Sequence, residues 1–448
     1  MALIEPRTLK GFRDFLPAAM IPREKLMEIA RGVYRRYGFV PIDTPALELL
    51  EVLTGKGSDE TDRQMYHFTD AGGRAVGMRF DLTVPFARFA AQHIAELGTP
   101  FKRYHIGSVW RGETPQAGRF REFVQCDFDT IGTTGVVSDI ETALVIHELM
   151  HSMGVKRFTI RINNRQVLTG LLERMELQGS STAVLRALDK IEKVGVDQVT
   201  KELSSAGLNT LQIDRVLALA AIQGSTDSVL SQLDALLQGS EIGLTGVERL
   251  RTICGAMKAA GVMQEFYQLD VSIARGLDYY TGVVFETILG DLPSIGSVCS
   301  GGRYDDLASL YTKQHLPGIG ASLGLDRLLA AMEQLGMISK TVSSADVFIP
   351  LFDASRINDY FQMASIVRNA GWSTEVYPEA KKLGQQLKYA DQRGFRIALV
   401  AGSQELDAGQ VQIKNLATKV STTVSWRDTP ESFVDTLAKM MRLPDMLA

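Results

Sequence analysis

Apolar positions along the first third of the chain change period several times, and each change marks an element. Leu26, Ile29, Ala30, Val33, Tyr34 and Tyr37 recur at the spacing of one helical face, which predicts a helix over residues 23–37 that Gly38 ends. Residues 39–47 then read as a short strand. Pro41 and Pro45 in it cannot donate ladder hydrogen bonds, so it belongs at a sheet edge or a strand end. A helix followed by an edge strand suits a dimer element. The strand-like runs 64–69 and 74–82 are separated by Asp70-Ala71-Gly72-Gly73, a hairpin composition. Two longer β-rich runs, 101–111 and 119–131, enclose a loop at 112–118 that carries Gly112, Pro115 and Gly118. The whole stretch reads as an antiparallel sheet with flanking helices.

After Gln166 the period becomes helical and stays so to about Val262. Val184, Leu185, Leu188 and Ile191, then Val229, Leu230, Leu233, Leu236 and Leu237, then Val247, Leu250 and Ile253 mark successive apolar faces, and Gly224 and Gly239 suit helix ends. Strand character returns at 268–274 and 282–289, so the helical block reads as an insertion in a sheet domain. Residues 336–344 suit a linker. Beyond it, apolar strands at 347–351, 373–377 and 397–400 alternate with helical patterns, the mark of a small α/β domain with partly parallel strands. The pattern thus divides the chain into a sheet domain from 1–165 and 263–336, a helical insertion at 166–262, a linker at 337–344 and a C-terminal domain at 345–448. The 448 residues agree with this at roughly 150 residues per domain.

Composition removes several classes. A 45% hydrophobic content excludes wholesale disorder. The three cysteines, Cys126, Cys254 and Cys299, form no C-x-x-C pair, which leaves neither a disulfide framework nor a zinc ribbon and suits a reducing compartment. No apolar run approaches the roughly 18 residues that cross a bilayer, and residues 1–13 lack the core of a signal peptide. The expected protein is soluble, cytoplasmic and without membrane contact. Net charge is -4, and residues 345–448 hold 12 Lys plus Arg against 12 Asp plus Glu. Any polyanion must therefore be met by placed contacts rather than by bulk charge.

One motif points elsewhere. His147-Glu148-Leu149-Met150-His151 matches the H-E-x-x-H pattern of zinc proteases, in which two histidines share a helix face and the glutamate is the base. Neither a partner motif nor a spaced third ligand follows it. Residues 105–108 and 339–344 faintly match Rossmann-type nucleotidyl signatures, but the first lies inside a β-rich run without the required turn into a helix. No P-loop motif occurs.

Arginine, carboxylate and glycine concentrate in four separated segments. They are Arg79 to Arg88; Trp110-Arg111-Gly112-Glu113 with its return through Arg119 to Asp129; Ala274 to Gly282; and Ser300 to Asp305 followed by Gly318 to Leu328. Along a strand Gln125, Asp127 and Asp129 project to one face.

These segments, in this order, resemble the class II aminoacyl-tRNA synthetases, and among them the histidyl-tRNA synthetase family. Pro6-Arg7 and Arg13-Asp14-Phe15-Leu16-Pro17 resemble the family's opening, the helix and strand ending at Pro45 its dimer motif, Trp110 to Asp129 motif 2, and Gly318 to Leu328 motif 3. Arg275 to Gly282 and Gly301 to Asp305 are similar to the two signatures that set the histidine enzymes apart. The resemblance implies an α+β fold: a class II antiparallel sheet with flanking helices, an inserted helical domain and a C-terminal α/β anticodon-binding domain.

It also implies an activity. Joining a carboxylate to the α-phosphate of ATP brings two anions together, and planar guanidinium groups give fixed paired donors to such oxygens. By resemblance Arg111, Arg275 and Arg327 are the catalytic arginines: Arg111 on the amino acid carboxylate and α-phosphate, Arg275 beside the α-phosphate, Arg327 at the γ-phosphate. Glu113 and Phe123 take the adenine, and Arg119 reaches phosphate. Asp81 and Thr83 match the ammonium site; Gln125, Asp129, Tyr279 and Tyr280, with Arg111 and Arg275, complete the L-histidine pocket. A carboxylate there fixes which ring nitrogen carries the proton, and a tyrosine hydroxyl pairs with the other.

The resemblance further implies Mg2+ bound through the nucleotide with no dedicated protein metal site, a homodimer, and transfer of histidine to the 3′ end of tRNA(His). Gln116 and Arg121 then face the acceptor end, and Lys381, Lys382 and Lys388 on one helix meet phosphates in the C-terminal domain. Two rivals remain. A non-catalytic paralogue regulating histidine biosynthesis predicts damaged motifs and no C-terminal domain, whereas Arg111, Glu113, Arg275 and Arg327 are all present. A zinc metalloprotease rests on His147 and His151 alone.

Overall fold

The computed structural model describes residues 3–54, 63–116, 118–177, 180–188, 191–273, 279–338 and 342–442. The chain forms two compact units, one of Met1–Arg13 with Lys25–Met337 and one of Asp14–Glu24 with Ile338–Ala448.

The helix Pro17–Arg36 begins earlier than its apolar period suggests, and it buries Leu26, Ala30, Val33 and Tyr34 as that period requires. Gly38, at φ +77°, turns the chain out of it. The expected strand at 39–47 is two fragments instead, β1 (Val40–Pro41) and β2 (Leu47–Leu49). The prolines explain the break, since each removes a donor that an unbroken strand would use. β1 lies parallel to the edge of the large sheet. β2 joins the predicted hairpin, β3 (His67–Thr69) and β4 (Ala75–Met78), in a separate three-stranded sheet of order β2-β4-β3. Asp70 makes the hairpin turn by accepting from the backbone N–H groups of Gly72 at 2.9 Å and Arg74 at 2.8 Å.

The Thr83–Leu97 helix leads into β5 (Phe101–Trp110) and β6 (Glu122–Ile131), the two long strands on either side of the 112–118 loop. They pair antiparallel from Phe101 opposite Ile131 to Trp110 opposite Glu122. The Val136–Ser152 helix and β7 (Phe158–Asn164) follow. Helices then run from Arg165–Arg174 to Glu241–Ala259. The strand expected at 268–274 is only β8 (Tyr267–Leu269), because Asp270 caps a turn by accepting from Ser272 N at 3.0 Å. β9 (Val283–Leu289), β10 (Cys299–Tyr304) and β11 (Gly318–Gly324) complete an eight-stranded sheet of order β1-β5-β6-β11-β10-β9-β7-β8, which the Leu325–Gln334 helix leaves. Only the two edge pairings, β1 with β5 and β8 with β7, are parallel.

The second unit holds β12 (Val347–Ile349), β13 (Thr374–Val376) and β14 (Ile397–Val400) in parallel, then β15 (Gln410–Asn415) and β16 (Ser421–Ser425) in antiparallel, in the order β13-β12-β14-β15-β16. Tyr360, Trp426 and Phe433 fill its core beside Val347 and Ile349. Lys381 and Lys382 do not share a helix with Lys388 as the sequence suggested. The helix begins at Leu383, and Lys381 pairs with Glu379 at 2.6 Å. Among the described residues no helix is long and apolar enough to cross a membrane.

Candidate active site

β6 and β11 lie side by side in the middle of the sheet, and Gln125, Asp127 and Asp129 pair with Gly324, Ser322 and Gly320. Small partners leave one face of the sheet open there. A cleft of about 120 Å³ above it is lined by Arg111, Glu113, Arg119, Phe123, Gln125 and Arg327, among others, so six of the predicted residues meet in one place.

This cleft is cationic. Arg111 lies over the rings of Phe80 at 4.3 Å and Phe123 at 5.2 Å, and its Nε donates to the Phe80 carbonyl at 3.1 Å. Arg327 donates to the Ser297 carbonyl at 2.6 Å. Burial, then Arg119, then Arg111 depress its pKa. Glu113 stands 3.8 Å from Arg111 and 3.7 Å from Arg119. Arg111, Arg119 and Arg327 share this lining with two carboxylates, Glu113 and Asp326, and Asp326 is paired with Arg13 at 2.7 Å, so positive charge is left unmatched, which suits a polyphosphate.

Further along the β6 face from Gln125, and not among the residues that line this cleft, lies an acidic group. Asp81, buried before the Thr83–Leu97 helix, accepts from Val84 N at 2.9 Å and from the Tyr279 hydroxyl at 3.3 Å; burial raises its pKa. Thr83 also reaches the Tyr279 hydroxyl. Asp129 is held by Arg103 at 2.7 Å and by the Tyr304 hydroxyl at 2.6 Å. Gln125 donates to Ser322 Oγ at 2.8 Å, while its Oε1 is buried without a partner. Asp127 Oδ1 is likewise buried and unpartnered, and burial pushes this carboxyl up to about 7. Tyr280 meets Tyr279 edge to face at 5.2 Å, and its hydroxyl feels Asp129, Asp127 and Asp81. A cation with several donors would satisfy this set; a neutral apolar guest would leave it unpaired.

Sequence reasoning missed Arg103 and Tyr304, which hold both oxygens of Asp129. It also omitted Asp127 from the pocket, although its place between Gln125 and Asp129 on one strand face was the available signal. Two expectations fit less well. Gln116 closes the motif 2 loop against Arg119, with N to O distances of 3.2 and 2.8 Å, while Arg121 donates to the backbone carbonyls of Glu113 at 3.1 Å and Lys10 at 3.3 Å. The half-buried Arg121 guanidinium is thus already bonded to two backbone carbonyls of this protein. Arg275 lies outside the described residues.

Comparison with known proteins agrees with this arrangement. The family model described as histidyl-tRNA synthetase matches residues 11–328, and that of an anticodon binding domain matches 347–436. A histidine–tRNA ligase of Rhodopirellula baltica is 60% identical over 97% of this chain and 99% of its own length. One of Treponema denticola is 47% identical over 89% of each. The crystal structure of a histidyl-tRNA synthetase from Nostoc sp. PCC 7120 superposes with a TM-score of 0.89 at 32% identity, covering 98% of this chain and all of that one. The chain belongs to the histidyl-tRNA synthetase family.

Within that family's signature Gly301 to Asp305, the structure gives each residue type a reason. A Cβ on Gly301 would lie 2.2 Å from the Gly320 carbonyl oxygen, so β10 and β11 can meet only as glycine. Arg303 is buried and serves the scaffold. It donates to Asp139 at 2.6 and 3.0 Å, to Ser138 Oγ at 3.0 Å and to Asp305 at 3.1 Å, while Arg249 of the Glu241–Ala259 helix takes the other Asp139 oxygen. The zinc reading of His147 and His151 is not favoured. Their rings meet at 4.5 Å and pack on Phe158 and Phe266, Glu148 is bound to Arg36 at 2.7 Å, and no cluster of three metal-ligating residues occurs among the described residues.

Proposed function

We propose that this chain activates L-histidine with ATP to histidyl-adenylate and pyrophosphate, then transfers histidine to the 3′ end of tRNA(His). The observation that carries the reading is the junction of two unlike half-sites at Gln125, a cationic cleft for the nucleotide and a buried acidic pocket for an amino acid cation. Arg111 stands at the junction: its guanidinium lies over Phe80, next to Asp81, and beside Glu113. It would hold the carboxylate against the α-phosphate and stabilise the charge that develops there. Arg327 and Arg119 take the outer phosphates, Glu113 and Phe123 the adenine, and Arg275 the α-phosphate. Asp81, Thr83 and Tyr279 form the ammonium site, and Gln125, Asp129 and Tyr280 the imidazole site.

Mg2+ comes with the nucleotide, whose phosphates supply the oxygen ligands that a hard cation needs. The protein works in the cytoplasm as a homodimer through the Pro17–Arg36 helix and β1. The two family matches support a catalytic domain within residues 1–165 and 263–336 and, after a linker at 337–344, an anticodon-binding domain at 345–448; the insertion at 166–262 shares one compact unit with the sheet, and residues 14–24 belong to the other unit. The regulatory-paralogue alternative expects a damaged site, and Arg111, Glu113 and Arg327 are all in place around the cleft. The test is charging: labelled histidine should become attached to tRNA(His), with ATP required and no other amino acid accepted. Failure to charge that tRNA would refute the reading.

A further inference from the structure

Residues 9–13 form a strap across the outside of the nucleotide cleft. Phe12 N bonds to the Leu9 carbonyl at 3.0 Å, and Gly11, at φ +87°, presents its carbonyl to Arg121 N at 2.9 Å. Gly11 is packed so closely that a Cβ on it would lie 2.7 Å from Arg121 Cδ. Phe12 meets the Tyr66 ring at 6.1 Å, edge to face. The strap ends in Arg13. Its guanidinium lies 3.7 Å above the Phe120 ring, and its Nη2 stands 2.7 Å from Asp326 Oδ1.

Both partners of Arg13 wall the cleft. Phe120 follows Arg119 in the motif 2 loop, and Asp326 precedes Arg327 at the start of the motif 3 helix. The second oxygen of Asp326 accepts from Val124 N on β6 at 2.7 Å. Asp326 is nearly inaccessible, so its charge requires a cation and a donor to balance it. Arg13 supplies the cation and stacks on the loop with the same planar group, a combination that lysine cannot reproduce.

We propose that Arg13 is a positioning residue for the nucleotide: the strap ties the motif 2 loop to the motif 3 helix and holds Arg119 and Arg327 in place before ATP arrives. The inference rests on the activity proposed above. It assigns to the N-terminal segment a role in ATP affinity rather than in histidine recognition, because its contacts to Phe120, Arg121 and Asp326 lie on the motif 2 loop and the motif 3 helix beside Arg119 and Arg327.

Pyrophosphate exchange by the full chain tests it, with each KM measured separately. Arg13→Ala should raise KM for ATP about tenfold and leave KM for histidine within about twofold, since a misplaced clamp weakens one substrate only. Arg13→Lys should recover only part of the loss. Gly11→Ala, which lifts the strap from Arg121 without touching Asp326, should show the same split; with Arg13→Lys it carries the test should Arg13→Ala fail to fold. An unchanged KM for ATP in the folded variants, or an equal rise in both constants, would overturn the proposal. Absence of exchange in the unaltered chain would overturn the proposed activity instead.

Discussion

Arg103 and Asp129 face each other across β5 and β6, 2.7 Å apart and both buried, at directly paired positions of the ladder. The ion pair forms the floor of the acidic half-site, and the Tyr304 hydroxyl completes it from β10. Asp129 is therefore part of a preset network rather than a free carboxylate, and on the proposed function it would meet the ligand as such.

Removing the cation from this pair leaves Asp129 beside Asp127 without compensation. Arg103→Leu should destabilise the protein by about 3 kcal/mol, the scale for breaking one side of a buried ion pair. The midpoint of denaturant unfolding measures this, and an unchanged midpoint would show that the pair contributes nothing net.

Asp127 predicts a pH dependence with a definite sign. Its folded-state pKa is pushed up to about 7 by burial, well above the usual 3.8, so the unfolded chain loses this proton first as pH rises. Stability owed to this group falls between about pH 4 and pH 7 and is flat above. Burial raises Asp81 and Asp129 as well, in the same direction. In Asp127→Asn the slope due to this residue vanishes, so the variant should gain roughly 4 kcal/mol on the unaltered chain across that window. Unfolding titrations at several pH values check it; a constant difference would contradict it.

Gly320 tests how closely the pocket is fitted. A Cβ there would lie 2.2 Å from Asp129 Oδ1 and 2.3 Å from the Phe128 carbonyl oxygen. Gly320→Ala must therefore displace the Asp129 carboxylate, and KM for histidine should rise about tenfold or more while KM for ATP changes little.

Much of this was legible in the chain. β5 and β6 were found to within a few residues because both are long and their enclosing loop carries glycine and proline. The motif arginines were legible through the resemblance of their segments to the family's motifs, not through any local pattern. Fragmentation of 39–47 and the shortness of β8 were not, since both depend on which neighbour supplies each hydrogen bond. β15 does carry a strand alternation, with Val411 and Ile413 buried between Gln410, Gln412 and Lys414, but it is short and β16 is polar at most positions, so neither stands out as the apolar runs of β12 and β14 do. Asp139 and Arg303, 164 positions apart, show nothing in sequence to link them. The same holds for Arg103 with Asp129, where the partner is chosen by ladder register, and for Arg13 with Asp326, separated by 313 positions.

Arg327 and Arg275 differ in what their loss should do. Arg327 is wedged beneath the Ser297 carbonyl at the outer end of the cleft, so Arg327→Ala should lower kcat/KM for ATP by about a hundredfold or more. Arg275→Ala should nearly abolish exchange with the protein still folded, and gel filtration beside the exchange assay separates the two outcomes. An active Arg275→Ala enzyme would refute its assigned role.

The most direct measurement is pyrophosphate exchange without tRNA, run over the full set of amino acids. The two half-sites predict that labelled pyrophosphate enters ATP only when histidine is present, because only a side chain with two ring nitrogens pairs the buried groups of Gln125, Asp129 and Tyr280. Exchange with another amino acid at comparable efficiency, or no exchange with histidine, would contradict the account.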